Sequence, residues 1–306
     1  MDVRSLRYFV AVADRRSFAA AAREVGVSQP AVSQAIAQLE DELAARLFDR
    51  GGRRVSLTPE GESFLESARR VVHDFDDLPA RLDRARGRVR GRLEIGTTDV
   101  ASIYVLPKVY RAYRRRFPDV EISVRVEGTE SLLRQLADRT IELAVITLAA
   151  GDRVADVPAP FTAEPLFREH LDFLVSRTHP LADRTRISLP ELAEHGLITF
   201  KAESITRQAV DALFREHGEE PRIAMEMSSP EAIKRLVEVG LGVGVLPARS
   251  VAAEIRSGAL VPLAVRAGKL TRELGIARDA RRTPSPAAEA FLGLLARIRN
   301  VAPRVD

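Results

Sequence analysis

The sequence predicts an all-α N-terminal domain with a small β-hairpin, followed by a larger α/β domain of two lobes. Within residues 1–58 the apolar residues recur at helical spacing. From Leu93 onward, short β-branched runs alternate with helical stretches, which is typical of a parallel sheet covered by helices. A second set of the same kind begins after about residue 164. The change of pattern places a hinge between the two parts at residues 87–91.

Two short helices joined by a tight turn are predicted over residues 17–39. Ser17 and Ser28 suit the caps of the two helices, and Gly26 suits the left-handed position between them. One face of the second helix is an apolar stripe of Val32, Ala35, Ile36 and Leu39. The opposite face presents amides and hydroxyls, in Gln29, Pro30, Ser33, Gln34 and Gln38. Such a helix-turn-helix can read base edges in a DNA major groove; the alternative is a hairpin with a solvated face.

Structure is also predicted on either side of this hairpin. A first helix is expected over about residues 4–14, and Phe18 is expected to pack behind it. After the hairpin, residues 50–54 predict a tight β-turn between two short strands, the second ending at Leu57. Such a wing would lay Arg50, Arg53 and Arg54 along a phosphate backbone. A solvated surface hairpin is the alternative.

A long helix is predicted to begin at Thr58, because a capping hydroxyl precedes Pro59 and an acidic residue. Its apolar residues alternate four and three apart, in Phe64, Ala68, Val71, Phe75, Leu78, Leu82 and Ala85. We expect this heptad seam to pair with the same helix of a second chain, and the alternative is a helix packed within its own chain. Pro79 should kink or end the helix near Leu78.

The composition limits the function classes. Of 306 residues, 45% are hydrophobic and 29% charged, which indicates a globular protein. Cysteine is absent, which excludes disulfides and thiolate metal sites, and the five histidines show no close metal-ligand spacing. Residues 1–58 contain nine arginines against seven acidic residues, so basic charge is local rather than global. Without a long apolar run or a secretory signal, we expect a cytoplasmic protein with no membrane contact, metal or cofactor.

The N-terminal sequence resembles that of LysR-type transcriptional regulators. The matching stretches are LRYFVAVADRRSFAAAAREVGVSQPAVSQAIAQLEDELAARLFDR and RRVSLTPEGESFL, and GLGVGVLP agrees further along. The resemblance implies a winged helix-turn-helix over 1–58, a dimerising linker helix over 59–86 and an effector domain similar to periplasmic binding proteins. Its lobe I would comprise 92–163 and 269–301, and its lobe II 164–268. It also implies oligomers, usually tetramers, on double-stranded promoter DNA, with RNA polymerase a candidate partner.

The resemblance also assigns site residues by position. Base contacts are expected from Gln29, Pro30, Ser33 and Gln34, and backbone contacts from Ser28, Arg50, Arg53 and Arg54. The effector cleft should lie between the lobes at the carboxyl ends of strands, as the general rule for open α/β sheets also predicts. Hydroxyls and helix starts there suit a carboxylate, so the candidates are Thr97, Thr98, Thr129, Ser131, Thr147, Thr199, Phe200 and Lys201. Helix capping is the alternative role for these hydroxyls.

The sequence therefore favours a regulator that responds to a small molecule, an organic acid, and is not an enzyme. An enzyme is the first alternative, but Gly240, Gly242 and Gly244 lack the full spacing of a nucleotide-binding loop and fit a buried strand. A transport binding protein and a DNA-organising protein that needs no ligand are the others. Footprinting with and without candidate metabolites discriminates among them.

Overall fold

A computed structural model describes residues 1–49, 55–76, 78, 89–148, 157–184, 186–268 and 270–299. The chain divides into an N-terminal unit of Met1–Val89 with Ala137–Thr140, and a second unit of Arg90–Leu136 and Ile141–Asp306. The expected phosphate contacts Arg50, Arg53 and Arg54 lie outside the described residues, as do Pro79, the seam residues Leu82 and Ala85, and part of the hinge 87–91.

The N-terminal unit is a helix-turn-helix followed by a two-stranded antiparallel hairpin, as predicted. Its elements are α1 (Val3–Arg15), α2 (Phe18–Val25), α3 (Gln29–Leu43), β1 (Phe48–Asp49), β2 (Ser56–Leu57) and α4 (Pro59–Asp76). The Ser17 hydroxyl accepts the N–H of Ala20 at 3.2 Å, and the Ser28 hydroxyl accepts that of Ala31 at 3.4 Å. Gly26 has φ 72°, so the predicted caps and turn are confirmed.

The core of this unit contains the apolar stripe of α3. Val32, Ile36 and Leu39 are buried, while Ala35 is only partly so. Phe9 of α1 is fully buried, and its ring centroid lies 5.2 Å from that of Phe48 in β1. Burial of one helix face turns the other face outward, so the packing of α3 fixes the orientation of its polar residues.

A buried carboxylate ties the end of α3 to the first strand of the hairpin. Glu40 Oε1 accepts the backbone N–H groups of Leu47 at 2.8 Å and Phe48 at 3.1 Å, and Oε2 lies 3.5 Å from Nη1 of Arg46. The residue is only 3% exposed. Helical periodicity does not reveal this role, because the partners of Glu40 lie in a non-helical segment. The carboxylate satisfies two N–H groups that the turn leaves unpaired.

The start of α4 is held against the same segment. The Thr58 hydroxyl donates to the carbonyl oxygen of Arg46 at 2.6 Å and accepts the N–H of Gly61 at 3.0 Å. A Cβ on Gly61 would lie 2.1 Å from the carbonyl oxygen of Leu47, so this close approach requires glycine. The predicted helix start at Thr58 is confirmed.

The second unit is an α/β domain with two groups of strands, here called lobe I and lobe II. Lobe I contains β3 (Gly91–Thr97), α5 (Asp99–Tyr104), α6 (Leu106–Arg116), β4 (Val120–Val126), α7 (Thr129–Ala137), β5 (Leu143–Leu148), β11 (Thr271–Asp279) and α12 (Pro286–Arg299). Lobe II contains α8 (Leu189–Ala193), β7 (Leu197–Phe200), α9 (Ile205–Glu216), β8 (Ile223–Met227), α10 (Pro230–Glu238), β9 (Val243–Pro247), α11 (Ala248–Ser257) and β10 (Leu260–Leu263).

A long strand, β6 (Phe161–Ser176), belongs to both lobes. Its first part pairs with β11, and its last part pairs with β9 and β10, all antiparallel. The expected parallel pairing holds within each lobe, where β3, β4 and β5 are parallel, as are β7, β8 and β9. The two groups join through antiparallel strands, so the sheet as a whole is mixed. The cause is the crossing of the chain from lobe I to lobe II and back. The expected lobe boundary between residues 163 and 164 falls inside β6.

Replacing Glu40 with alanine should weaken the attachment of β1 to α3. Two buried N–H groups would lose their acceptor, at a cost of about 2–4 kcal/mol. The amides of Leu47 and Phe48 should then exchange with deuterium at least about tenfold faster, as measured by hydrogen exchange with mass spectrometry. Asp41→Ala, at the exposed neighbouring acid, is the matched control. Unchanged protection in Glu40→Ala would contradict this role.

Candidate functional site

The first candidate site is the outer face of α3. Gln29, Pro30 and Gln34 are exposed, and Ser33 is partly buried beside them. All four lie in the first two turns of the helix. The structure therefore brings the four predicted base-contacting residues onto one accessible surface. Ser28 precedes them, and because its oxygen accepts the Ala31 N–H, its O–H group can still donate to a phosphate.

The second candidate site is a cavity of about 400 Å³ in the α/β domain. Its wall from lobe I comes from the ends of β3, β4 and β5, and its wall from lobe II comes from the ends of β7 and β8 and the start of α9. Of the predicted effector residues, five line it: Thr98, Thr129, Thr147, Phe200 and Lys201. Its size falls within the range of small-molecule sites.

Three predicted effector residues do not line this cavity. Thr97 and Thr199 are completely buried within their strands, and the Thr97 hydroxyl donates to the carbonyl oxygen of Thr98. Successive strand residues point to opposite faces, so only one of two adjacent threonines can face the cavity. The Ser131 hydroxyl accepts a hydrogen bond from the side chain of Gln135 at 3.4 Å, one turn along α7.

Two N-cap residues that line the cavity differ from those of the helix-turn-helix. Thr98 precedes α5 and Ser204 precedes α9, and neither side chain makes a capping hydrogen bond. The Thr98 hydroxyl is buried without a partner among the residues that the structure describes. A buried hydroxyl without a partner has a desolvation cost that a ligand would offset, so capping does not account for Thr98.

The cavity also contains charged residues absent from the predicted set. Asp99, Glu127 and Glu203 line it, as does Arg272. The strand-end rule, which places the cleft at the carboxyl ends of the strands, selects Thr98. Glu127 directly follows a predicted strand, so the same rule applies to it. Arg272 lies on β11, which runs antiparallel to β5, and no local sequence signal places it near the cavity.

Arg272 is a buried cation at the cavity wall, only 2% exposed. Its Nε and Nη2 donate to Oε1 of Glu169 at 2.8 and 2.7 Å, and its Nη1 donates to the Thr206 hydroxyl at 2.7 Å. Arg249 Nε lies 3.9 Å from the other Glu169 oxygen. Two guanidinium groups thus share one carboxylate, which leaves this cluster with a net positive charge.

Asp99 lies in an environment that opposes its ionisation. Partial burial raises the pKa of its carboxyl above the ordinary value of 3.8, and the negative charge of Glu127 raises it further. The side chains of Asp99 and Glu127 have no cation partner within the described part of the chain. The cavity therefore has an acidic side at the ends of β3 and β4 and a basic side at β11, and Lys201 and Glu203 add one charge of each sign on the wall from lobe II.

A helix-turn-helix with an exposed amide face, joined to an α/β domain with a cavity between its lobes, defines a class of DNA-binding proteins with a ligand-binding domain. Two family models match the chain. The bacterial regulatory helix-turn-helix protein model of the lysR family covers residues 3–62, and the LysR substrate binding domain model covers residues 86–299. The chain belongs to the LysR family of transcriptional regulators.

Individual relatives agree along the whole length. The RuBisCO operon transcriptional regulator of Allochromatium vinosum is 32% identical over 291 residues, which cover 95% of this chain and 94% of the relative. Full-length OxyR from Pseudomonas aeruginosa has a similar structure, with a TM-score of 0.73 at 25% identity, covering 99% of this chain and 96% of OxyR. Full-length CbnR in complex with its target DNA is also similar, with a TM-score of 0.67 at 26% identity, covering 97% of this chain and 100% of CbnR.

The described residues contain no helix long and apolar enough to cross a membrane. In the same part of the chain, no group of three or more histidine, aspartate or glutamate side chains is arranged to hold a metal ion.

Replacing Asp99 with asparagine should stabilise the protein at neutral pH. Because the pKa of Asp99 is raised on folding, its ionisation lowers the free energy of unfolding as the pH rises from about 3.8 through the folded-state pKa. Asparagine has no such loss, so the Tm of Asp99→Asn should exceed that of the wild type at pH 7, and the difference should shrink towards pH 4.

Differential scanning fluorimetry across pH 4–8 measures this difference. Asp119→Asn, at an exposed acid that does not line the cavity, controls for the loss of one negative charge. A Tm difference for Asp99→Asn that did not depend on pH would contradict the assignment.

Proposed function

We propose that this protein recognises promoter DNA with the outer face of α3, and that its binding to that DNA changes when a small organic acid binds between the lobes. Gln29, Pro30, Ser33 and Gln34 would contact base edges, since amides pair with adenine through two hydrogen bonds. Ser28 and the arginines of the wing, Arg50, Arg53 and Arg54, would contact phosphates. The exposure of the α3 amides above a buried apolar stripe is the observation that supports this most directly.

The effector would bind in the cavity between the lobes. Support comes from the hydroxyls of Thr98, Thr129 and Thr147 and the ammonium group of Lys201, which line it together. A ligand that contacts both walls binds one arrangement of the lobes better than others and thereby shifts the population towards it. Since β6 and the return through β11 link the lobes, these strands would be the hinge. Such binding is regulatory, so we propose no catalytic role.

We further propose that α4 pairs with its counterpart in a second chain. The predicted heptad seam has two parts in the structure: Phe64 and Ala68 pack on the N-terminal core, while Val71, Phe75 and Leu78 are 44%, 50% and 49% exposed. An exposed row of large apolar side chains is unfavourable in water, and a second copy of the helix would cover it. Membership of the LysR family further supports tetramers on bipartite promoter sites, with RNA polymerase as a candidate partner. A promoter-binding role places the protein in the cytoplasm.

Replacing Gln34 with alanine should reduce base discrimination. The lost pair of hydrogen bonds is worth about 1–3 kcal/mol, so the preference for the cognate site over scrambled DNA should fall by a factor of about 5 to about 150. Footprinting first locates the binding site on DNA from the protein's own genomic neighbourhood, and fluorescence anisotropy at fixed salt then measures both affinities.

Gln208→Ala removes an exposed helical amide in the α/β domain and should leave this preference unchanged. If Gln34→Ala kept the full preference, Gln34 would not read bases. If the wild type bound no such DNA even at low salt, the proposed function itself would fail.

Replacing Phe75 with glutamate should break the pairing of α4. A charge placed in an apolar seam is desolvated on association, so the dimer should weaken by at least about tenfold. Size-exclusion chromatography with light scattering measures the mass at several concentrations. Glu62→Lys, at an exposed position of α4 outside the seam, should retain the wild-type mass. An unchanged mass for Phe75→Glu would exclude this face as the interface.

A further inference from the structure

We propose that the ligand of the cavity is a zwitterion, with a protonated amine held by Asp99 and Glu127 and a carboxylate held by Arg272 and Thr147. This inference rests on the proposed effector function and narrows the chemical class of the effector from an organic acid to an amino acid. It follows from how charge is distributed over the walls of the cavity.

The acidic side of the cavity lies at the ends of two adjacent parallel strands. Thr97 of β3 pairs in register with Val126 of β4, and the chain then continues into Asp99 and Glu127, which both line the cavity. Neither carboxylate makes an ion pair or a side-chain hydrogen bond with any residue that the structure describes. Two uncompensated carboxylates facing one cavity favour a cationic group between them.

The basic side is built around a buried guanidinium. Arg272 uses three of its five N–H groups on Glu169 and Thr206, so one N–H on each terminal nitrogen can still donate to a ligand. A guanidinium binds a carboxylate through paired, charge-assisted hydrogen bonds. Because Arg249 also faces Glu169, the cluster keeps a net positive charge that an anionic group would neutralise.

A hydroxyl lies between the two sides. Thr147 is only 6% exposed, and it lines the cavity. Its side chain makes no hydrogen bond with the residues that the structure describes. It belongs to β5, which lies between β3 and β11 in the sheet. Because the rest of the residue is buried, the cavity is where this hydroxyl can find a partner. The Thr98 hydroxyl, buried without a partner among the described residues, lines the same cavity, and both point to a polar ligand.

The sheet order sets the separation of the two charged sides. The lobe I strands run in the order β4, β3, β5, β11, so Asp99 and Arg272 start from strands two places apart. At a strand spacing of about 4.8 Å, their main chains are on the order of 10 Å apart. The side chains of Asp99 and Arg272 extend into this distance and shorten it. The remaining gap suits an amine and a carboxylate on one small molecule.

Other ligand classes fit this arrangement less well. The lining carries three carboxylates, Asp99, Glu127 and Glu203, against the two cations Lys201 and Arg272, so a simple organic acid would add a further negative charge to a cavity that already has an excess of them. A simple amine would leave the spare N–H groups of Arg272 unused. A metal ion is not favoured, because the described residues contain no group of three or more acidic or histidine side chains arranged to hold one.

Matched probes of one carbon skeleton separate these classes. The full-length protein is screened by differential scanning fluorimetry against the twenty protein L-amino acids and the ω-amino acids of two to six carbons. Each is accompanied by the acid that lacks the amine and the amine that lacks the carboxylate. We expect at least one amino acid to raise the Tm, and calorimetry should show each of its two analogues binding at least tenfold more weakly.

Two variants then assign the ends of the ligand. Asp99→Asn should lower the affinity for the amino acid by at least tenfold, without weakening the binding of the deaminated acid. Arg272→Lys, which keeps a positive charge beside Glu169, should weaken the binding of both the amino acid and the deaminated acid. Asp119→Asn, outside the cavity, should alter neither affinity.

The outcomes distinguish this inference from the proposed function. If a deaminated acid bound as tightly as its amino acid, or if Asp99→Asn left the difference between them intact, the zwitterion assignment would be wrong while an effector site remained. If no probe of the three classes bound, both the assignment and the proposed effector function of the cavity would be rejected.

Discussion

The α/β domain depends on the antiparallel pairing of β6 with β11. β6 is the strand that enters both lobes, and the chain returns to lobe I through β11. Within this pairing Arg272 lies directly opposite Glu169, and both side chains are almost fully buried. Removing one partner of such a pair would leave an isolated charge in the interior, at a cost of about 3–5 kcal/mol. The same arginine reaches Thr206 in α9 of lobe II, so the link between the lobes is polar as well as covalent.

The polar link between the lobes lies beside the cavity, so a ligand bound there is close to the contacts that join the lobes. Arg272 and Thr206 both line the cavity, and one of them belongs to each lobe. A ligand that contacts Arg272 therefore acts on a group that is already bonded to the crossing strand β6 and to the start of α9. In the proposed mechanism, a change of ligand at this point would alter the hydrogen bonds that Arg272 makes to Glu169 and Thr206, and no separate relay would be needed. Population shift requires such a difference in contacts between the two arrangements.

The N-terminal unit follows the same principle on a smaller scale. Its apolar contacts bury one face of α3, but a single carboxylate, Glu40, fixes the hairpin to the end of that helix through two backbone N–H groups. Gly61 then allows α4 to approach the carbonyl oxygen of Leu47. The orientation of the exposed amides is thus set by residues that a ligand or a base never touches.

Helical periodicity and cap chemistry are local, so α1 to α4, the caps at Ser17 and Ser28, and the exposed face with Gln29 and Gln34 could be predicted from the amino-acid pattern alone. The strand-end rule found Thr98, Thr129, Thr147, Phe200 and Lys201, but not the facing direction of Thr97 and Thr199, since a strand alternates sides and its ends are defined only by its neighbours. Three features emerge only in the folded chain: the sheet is mixed, Glu40 turns inward and Arg272 reaches the cavity. Each of these depends on partners distant in sequence, and no local pattern encodes such a pairing.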